Sequence, residues 1–175
     1  MDKDLQRKMC LYSRDSLDME KREEYSKIIC QRLFDMNIKG NIMSYYPVRS
    51  EVDILPFNFS KYVCYPVIMT DKQMEIYLPI ENRFSLNYYK IPEPDTSVGI
   101  KVEKGFISTV IVPLVGFDEN LHRLGYGGGY YDRFLKDMDV KKIGVAFEAQ
   151  KTEYIETSEY DIKLDCIVTE EKIYE

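Results

Sequence analysis

The stretch Arg123 to Phe134, RLGYGGGYYDRF, constrains this chain more than any other. Four of its 9 glycines fall between Gly125 and Gly129. Glycine lets main-chain N–H groups turn inward without a Cβ clash. Upstream, Ile107 to Val112 (ISTVIV) reads as a buried strand closed by Pro113, and downstream Tyr130 to Met138 continues as an amphipathic helix. A strand, a glycine-crowded loop and a helix start form a geometry that binds phosphate. The helix N-terminus adds a partial positive charge, and Arg123 adds a full charge on a planar fork of donors. Asp132 sets a carboxylate in the first helical turn, where a divalent cation bridging phosphates could sit. A plainer reading makes the glycines a tight turn and Asp132 a cap. Three consecutive glycines followed by two tyrosines exceed what a turn needs.

A chain of 175 residues is expected to form one domain, residues 1–175, with room for a real core. The net charge of -6 argues against a general nucleic-acid binder, so an anionic ligand has to be held by local positive charge. Cys10, Cys30, Cys64 and Cys166 are widely spaced with no Cys-x-x-Cys pair, which argues against a zinc site or redox motif and fits a reducing cytoplasm. The charged opening MDKDLQRK has no apolar signal core, and no run is long enough to span a bilayer. A soluble, cytoplasmic monomer with no membrane or nucleic-acid partner is the expectation.

Lys3 to Tyr12 reads as a short basic helix. Ser16 or Asp18 caps a second one running to about Asp35, whose Tyr25, Ile28, Ile29 and Leu33 repeat at helical spacing, with Gly40 ending the helical region. Strands are expected at Asn41 to Tyr46, Lys61 to Ile68, Met74 to Leu78 (a hairpin with the preceding one), Ile107 to Val112, Lys142 to Phe147 and Asp165 to Thr169. Ile54 to Ser60 holds a short helix broken by Pro56, and Asn82 to Gly105 reads as an irregular surface excursion. The fold class is α/β: a three-layer sandwich with a mostly parallel central sheet, helices on both faces and one hairpin. Ligands in such folds sit at the carboxyl ends of strands, which puts the loops after Tyr46, Val112 and Phe147 on one rim.

Taken together these pieces resemble the 5-formyltetrahydrofolate cyclo-ligase family, also called 5,10-methenyltetrahydrofolate synthetase. The most specific part is VPLVGFDENLHRLGYGGGYYDRFL, Val112 to Leu135. Lys-x-x-x-Arg at Lys3 and Arg7, Glu51 after the first strand, Ile91-Pro92-Glu93-Pro94 and the closing EYDIKLDCIVTE follow in the same order and spacing. The family carries glycine where Leu121 stands, so that turn must be closed in another way. The stretch between Glu51 and the second strand is short, which implies a truncated helix there.

The resemblance implies an ATP-dependent, magnesium-requiring ring closure that converts 5-formyltetrahydrofolate into 5,10-methenyltetrahydrofolate with release of ADP and phosphate. Carried over by position, Lys3 and Arg7 look like nucleotide contacts. Arg123, Leu124, Gly125, Tyr126, Gly127, Gly128, Gly129, Tyr130 and Tyr131 look like the ATP loop, with Arg123 catalytic and Gly128 to Tyr131 also near the folate. Asp132 and Asp161 look like metal-associated carboxylates, with Asp165 close enough in sequence to be confused with Asp161. Tyr46 and Glu51 look like folate-binding positions; the alternatives are core packing for Tyr46 and a solvated loop acid for Glu51. His122 reads as a surface loop residue without a role. Two other functions stay open on the sequence: a non-catalytic nucleotide- or folate-binding regulator, and an ATP-dependent enzyme acting on another small anion.

Overall fold

The computed structural model describes residues 2–69 and 72–175. At its centre is β7, Thr109–Pro113, flanked by β1, Ile42–Met43, and β10, Lys141–Val145, both parallel to it. β11, Cys166–Val168, continues the parallel set beside β10, and β12, Ile173–Tyr174, closes that edge antiparallel. The order is therefore β1-β7-β10-β11-β12. β7 is covered on both faces, which is why Val110 to Pro113 form an unbroken apolar run.

The two faces have different partners because side chains alternate along a strand. Ile42, Ile111, Ile143, Val145, Cys166 and Val168 face α2, Met19–Asp35, and α3, Leu55–Ser60, through Ile29, Leu33 and Phe57. Met43, Val110, Val112 and Ile167 face α4, Tyr130–Leu135, through Phe134 and Leu135. This is the expected sandwich with helices on both sides. A further helix, α1, Lys3–Asp15, lies off both faces, with Cys10 against Val115, Leu124 and Ile155. Among the described residues no helix is long and apolar enough to cross a membrane.

The local signals act largely as expected. The Asp18 side chain accepts the Lys21 N–H at 2.8 Å and caps α2. Its buried residues are Ser26, Ile29, Cys30 and Leu33, while Ile28 turns to solvent. α2 stops before Gly40, at the turn where Asn37 adopts φ 47. Pro56 does not break α3: it stands in the first turn, where its missing N–H is no loss. α1 runs past Tyr12 to Asp15, and α4 is shorter than its sequence suggests.

The excursion between Asn82 and Gly105 is not irregular. It holds β4, Phe84–Leu86, paired antiparallel with β5, Pro92–Pro94, and then β6, Ile100–Val102. β6 pairs with β3, Met74–Leu78, which forms the anticipated hairpin with β2, Tyr65–Ile68. Cys64, at the head of β2, bridges in parallel to Met43, so this small sheet leans on the β1 edge of the central one.

Candidate active site

The parallel strands β1, β7 and β10 end on one rim, and the glycine loop lies there, though β7 does not feed it directly. Between them stands a hairpin of β8, Gly116–Phe117, and β9, Arg123–Leu124. Its turn is organised by the fully buried Asp118. The Asp118 carboxylate accepts the N–H groups of Asn120, His122 and Ile155, each at 3.0 Å, and contacts the His122 ring at 3.1 Å. Leu121 closes this turn in the left-handed region, φ 67, with its side chain buried. A leucine thus adopts the backbone that glycine takes most readily, and apolar burial offsets the strain. His122 serves the turn through its contacts with Asp118.

The turn delivers Arg123, which is only 9% exposed. One end of its guanidinium, Nη2, donates to Asp132 Oδ1 at 2.6 Å, and the same oxygen accepts the Ile162 N–H at 3.1 Å. Its buried Nε–H has no acceptor among the described residues. The loop that follows stays open to solvent from Tyr126 to Gly128. Gly127 and Gly129 have φ 94 and φ 64, and a Cβ at Gly128 would meet the Tyr130 ring at 2.8 Å. The N–H groups of residues 125–129 donate to no acceptor among the described residues. Because α4 has only six residues, these donors and the nearby side chains, more than a helix dipole, make the loop anion-accepting.

α1 supplies the flanking cations. Arg7 Nε donates to the Gly125 carbonyl at 2.9 Å, and its guanidinium lies against Gly127. Lys3 pairs with Asp161 at 2.8 Å. The Asp161 carboxyl lies below the usual range: burial raises it, but Lys3 and the Ser158 N–H and hydroxyl outweigh that. Asp165, by contrast, accepts the Lys142 N–H at 2.6 Å at the opposite end of the sheet. Of the two aspartates, Asp161 is the one beside Lys3 of the first helix. Asp132 and Asp161 converge through the 161–162 segment, but each is held by a cation, Arg123 and Lys3. Among the described residues no group of three or more His, Cys, Asp or Glu is placed to hold a metal.

The other half of the rim is aromatic. A cleft of about 480 Å³ is lined by Ile68, Met69, Lys72, Asn87, Tyr88, Tyr89 and Tyr130. Tyr130 lies against the glycine loop and also lines this cleft, so the two halves share one wall. Beneath it the buried Glu93 accepts the Ile68 N–H and the Asn87 side-chain N–H, both at 2.8 Å, and burial lifts its carboxyl above the usual range. Glu51 accepts the Val48 N–H and the Tyr126 hydroxyl, both at 2.9 Å. Burial drives the Glu51 carboxyl up, opposed by those two donors and by the Arg14 and Arg49 charges. Tyr131 is raised by burial and by the Glu51 charge, with Arg123 opposing, which puts it in the field of both halves. Tyr46 lies outside the cleft lining; its ring packs edge-on against Phe84, centroids 5.1 Å apart, and beside Tyr65.

Sequence reasoning missed three groups. Tyr88 and Tyr89 sit in the segment read as irregular, where an aromatic pair beside a proline-bounded strand was the available signal. Glu93 lies inside a motif already noticed. Arg14 stands seven residues after Arg7, two helical turns along the face that buries Gln6 and Cys10.

Comparison with known proteins follows the same outline. The profile of the 5-formyltetrahydrofolate cyclo-ligase family matches residues 1–170. An Escherichia coli K12 protein named 5-formyltetrahydrofolate cyclo-ligase is 36% identical over 119 residues, which cover 57% of this chain and 65% of that protein. A Mycoplasma pneumoniae protein of the same name is 29% identical across 98% of this chain and 100% of its own. The solved structure of Aquifex aeolicus 5,10-methenyltetrahydrofolate synthetase superposes with a TM-score of 0.86 at 29% identity, covering 99% of this chain and 92% of that one. That of a Mycoplasma pneumoniae 5,10-methenyltetrahydrofolate synthetase gives 0.79 at 26% identity, covering 97% and 99%.

Proposed function

The chain belongs to the 5-formyltetrahydrofolate cyclo-ligase family, and on that premise we propose that it cyclises 5-formyltetrahydrofolate to 5,10-methenyltetrahydrofolate at the expense of ATP. The observation that carries this reading is the open glycine loop. Its N–H groups and the buried Arg123 Nε–H have no acceptor among the described residues, Arg7 lies against it, and a tyrosine-lined cleft begins where it ends. A triphosphate is the complement of the first part and a flat reduced pterin with its aryl arm the complement of the second.

The chemistry asks for alignment more than for a protein nucleophile. An N-formyl group is an amide, a weak electrophile whose oxygen leaves poorly. Transfer of the γ-phosphoryl group to that oxygen, with release of ADP, activates the carbon and creates a leaving group. The neighbouring folate amine attacks, the five-membered ring closes and inorganic phosphate departs with the former formyl oxygen. Loop N–H groups and Arg123 stabilise the spreading charge. Arg7 and Lys3 flank the polyphosphate, and Glu51 and the tyrosines orient the folate so that both of its nitrogens are within reach of one carbon. Asp132 and Asp161 would hold magnesium, which takes one or two protein carboxylates beside phosphate oxygens and neutralises polyphosphate charge. For both carboxylates, that role requires Arg123 and Lys3 to turn from their present partners toward phosphate.

The test is to incubate the protein with 5-formyltetrahydrofolate, ATP and magnesium and follow methenyl absorbance. Stoichiometric methenyl product and ADP are expected. Folded protein that yields neither overturns the proposal.

A further inference from the structure

Arg14 is the largest of the fully buried side chains and only 1% exposed, yet the function above gives it no task. A buried cation is costly unless its charge is answered nearby. Its nearest carboxylate, Asp15, stands 3.7 Å from Nε, beyond hydrogen-bond reach. The direct bonds of Arg14 go to two hydroxyls on two different walls of the site. Nε donates to Ser50 Oγ at 3.0 Å, beside Glu51, and Nη1 donates to the Tyr126 hydroxyl at 3.2 Å, inside the glycine loop. Each hydroxyl in turn donates a hydrogen bond to a carboxylate: Ser50 to Asp15 and Tyr126 to Glu51. The chain Arg14–Tyr126–Glu51 therefore joins α1, the glycine loop and the loop after β1 in one polar network.

We propose that Arg14 is a positioning residue, which fixes the glycine loop against the loop carrying Glu51 and so holds the nucleotide and folate halves of the site in one register. The inference rests on reading Glu51 as a folate contact. The geometry is suited to the task. Tyr126 is 51% exposed and would otherwise be free to swing, and the planar fork of arginine holds both hydroxyls at fixed angles where an ammonium could not. The charges facing Glu51 are Arg14 from α1 and Arg49 from its own loop, with the phenols of Tyr126, Tyr131 and Tyr45 around it.

The experiment uses the full chain with Arg14→Met, Arg14→Lys and Tyr126→Phe, read two ways. The first is the titration of Glu51 by carboxyl-labelled glutamate NMR, assigned with Glu51→Gln. Its midpoint is expected to rise by about one pH unit in both Tyr126→Phe and Arg14→Met and by less in Arg14→Lys. The second is steady-state kinetics across pH. The KM for folate is expected to rise about tenfold in Arg14→Met and about threefold in Tyr126→Phe, with kcat moving less and the acid limb of kcat/KM following the Glu51 midpoint. A midpoint unmoved in Arg14→Met and Tyr126→Phe overturns the proposal, as does a fall in kcat with folate KM and acid limb unchanged. If Arg14→Met does not fold, Tyr126→Phe, at a half-exposed position, decides on both readouts. If the wild type turns over no folate, the proposed function fails, and the titration alone still decides on the tie.

Discussion

The two ends of the parallel sheet make an instructive pair. At the amino end, a hollow of about 620 Å³ is lined by residues including Ser108, Lys141, Lys142 and Asp165, more spacious than the tyrosine cleft at the other end. The N–H groups at its strand ends are bonded within the protein. The Lys141 N–H reaches Ser108, the Asp165 N–H reaches Lys142, and the Lys142 N–H and ammonium both meet Asp165. At the carboxyl end, five consecutive N–H groups and one buried guanidinium N–H have no acceptor among the described residues. Size does not separate the two hollows in favour of the larger; the solvent-facing N–H groups of the loop are free to exchange water for an anion, and hydrogen bonds to an ionised acceptor are the stronger ones.

That contrast can be broken most sharply at Arg123. Arg123→Ala is expected to lower kcat/KM about 10²–10³-fold, while unfolding free energy falls by only about 2 kcal/mol. Turnover corrected for folded fraction by circular dichroism checks it, and losses of equal weight would reduce Arg123 to a structural role. Next comes Gly128→Ala, whose Cβ would meet the Tyr130 ring at 2.8 Å. The ring must shift on the wall shared by both halves, so the KM values for ATP and folate should rise together, each about tenfold. Titrations with each substrate at saturation of the other test this.

The amino end supplies the counterpart. Asp165→Asn removes a carboxylate that answers Lys142 and should cost about 1 kcal/mol in chemical denaturation with turnover per folded molecule unchanged. A large loss of turnover would refute the division between the ends. The smallest effect is expected at Lys3–Asp161. A folded-state carboxyl held below its ordinary value contributes stability above that value and loses it as pH falls through the lowered one. Lys3→Ala should therefore cost about 0.5 kcal/mol near neutrality, and the difference from wild type should vanish on acidification below the usual carboxylate range. Denaturant midpoints measured across pH give the comparison.

The frame of this molecule was legible because its signals are local. The run around Ile111, the Asp18 cap and the glycine crowding each state their structure within a few residues. Three-residue strands such as Pro92–Pro94 are too short to show a period, and proline reads as an interruption, so the β4–β5 pair and β6 were hidden. In the candidate site, the loop was visible through its own glycines, and Glu51 only through the family resemblance. Arg14 was not, because its burial comes from segments 36 and 112 positions away. Tyr46 stood out by position alone among 15 tyrosines, while Tyr88 and Tyr89, which line the cleft with Tyr130, belong to the stretch with no visible pattern.

The first helix meets its partners late. Lys3 bonds a residue 158 positions away, Gln6 one 148 away and Arg7 one 118 away. During synthesis at about 5–20 residues per second, roughly ten to thirty seconds pass before the segment that receives it has been made. Until then a nascent chain carries that helix undocked, with Cys10 and Arg14 in water and the glycine loop lacking its cationic wall. A ribosome stalled before residue 150 would hold a chain with a sheet begun and its first helix still without a seat.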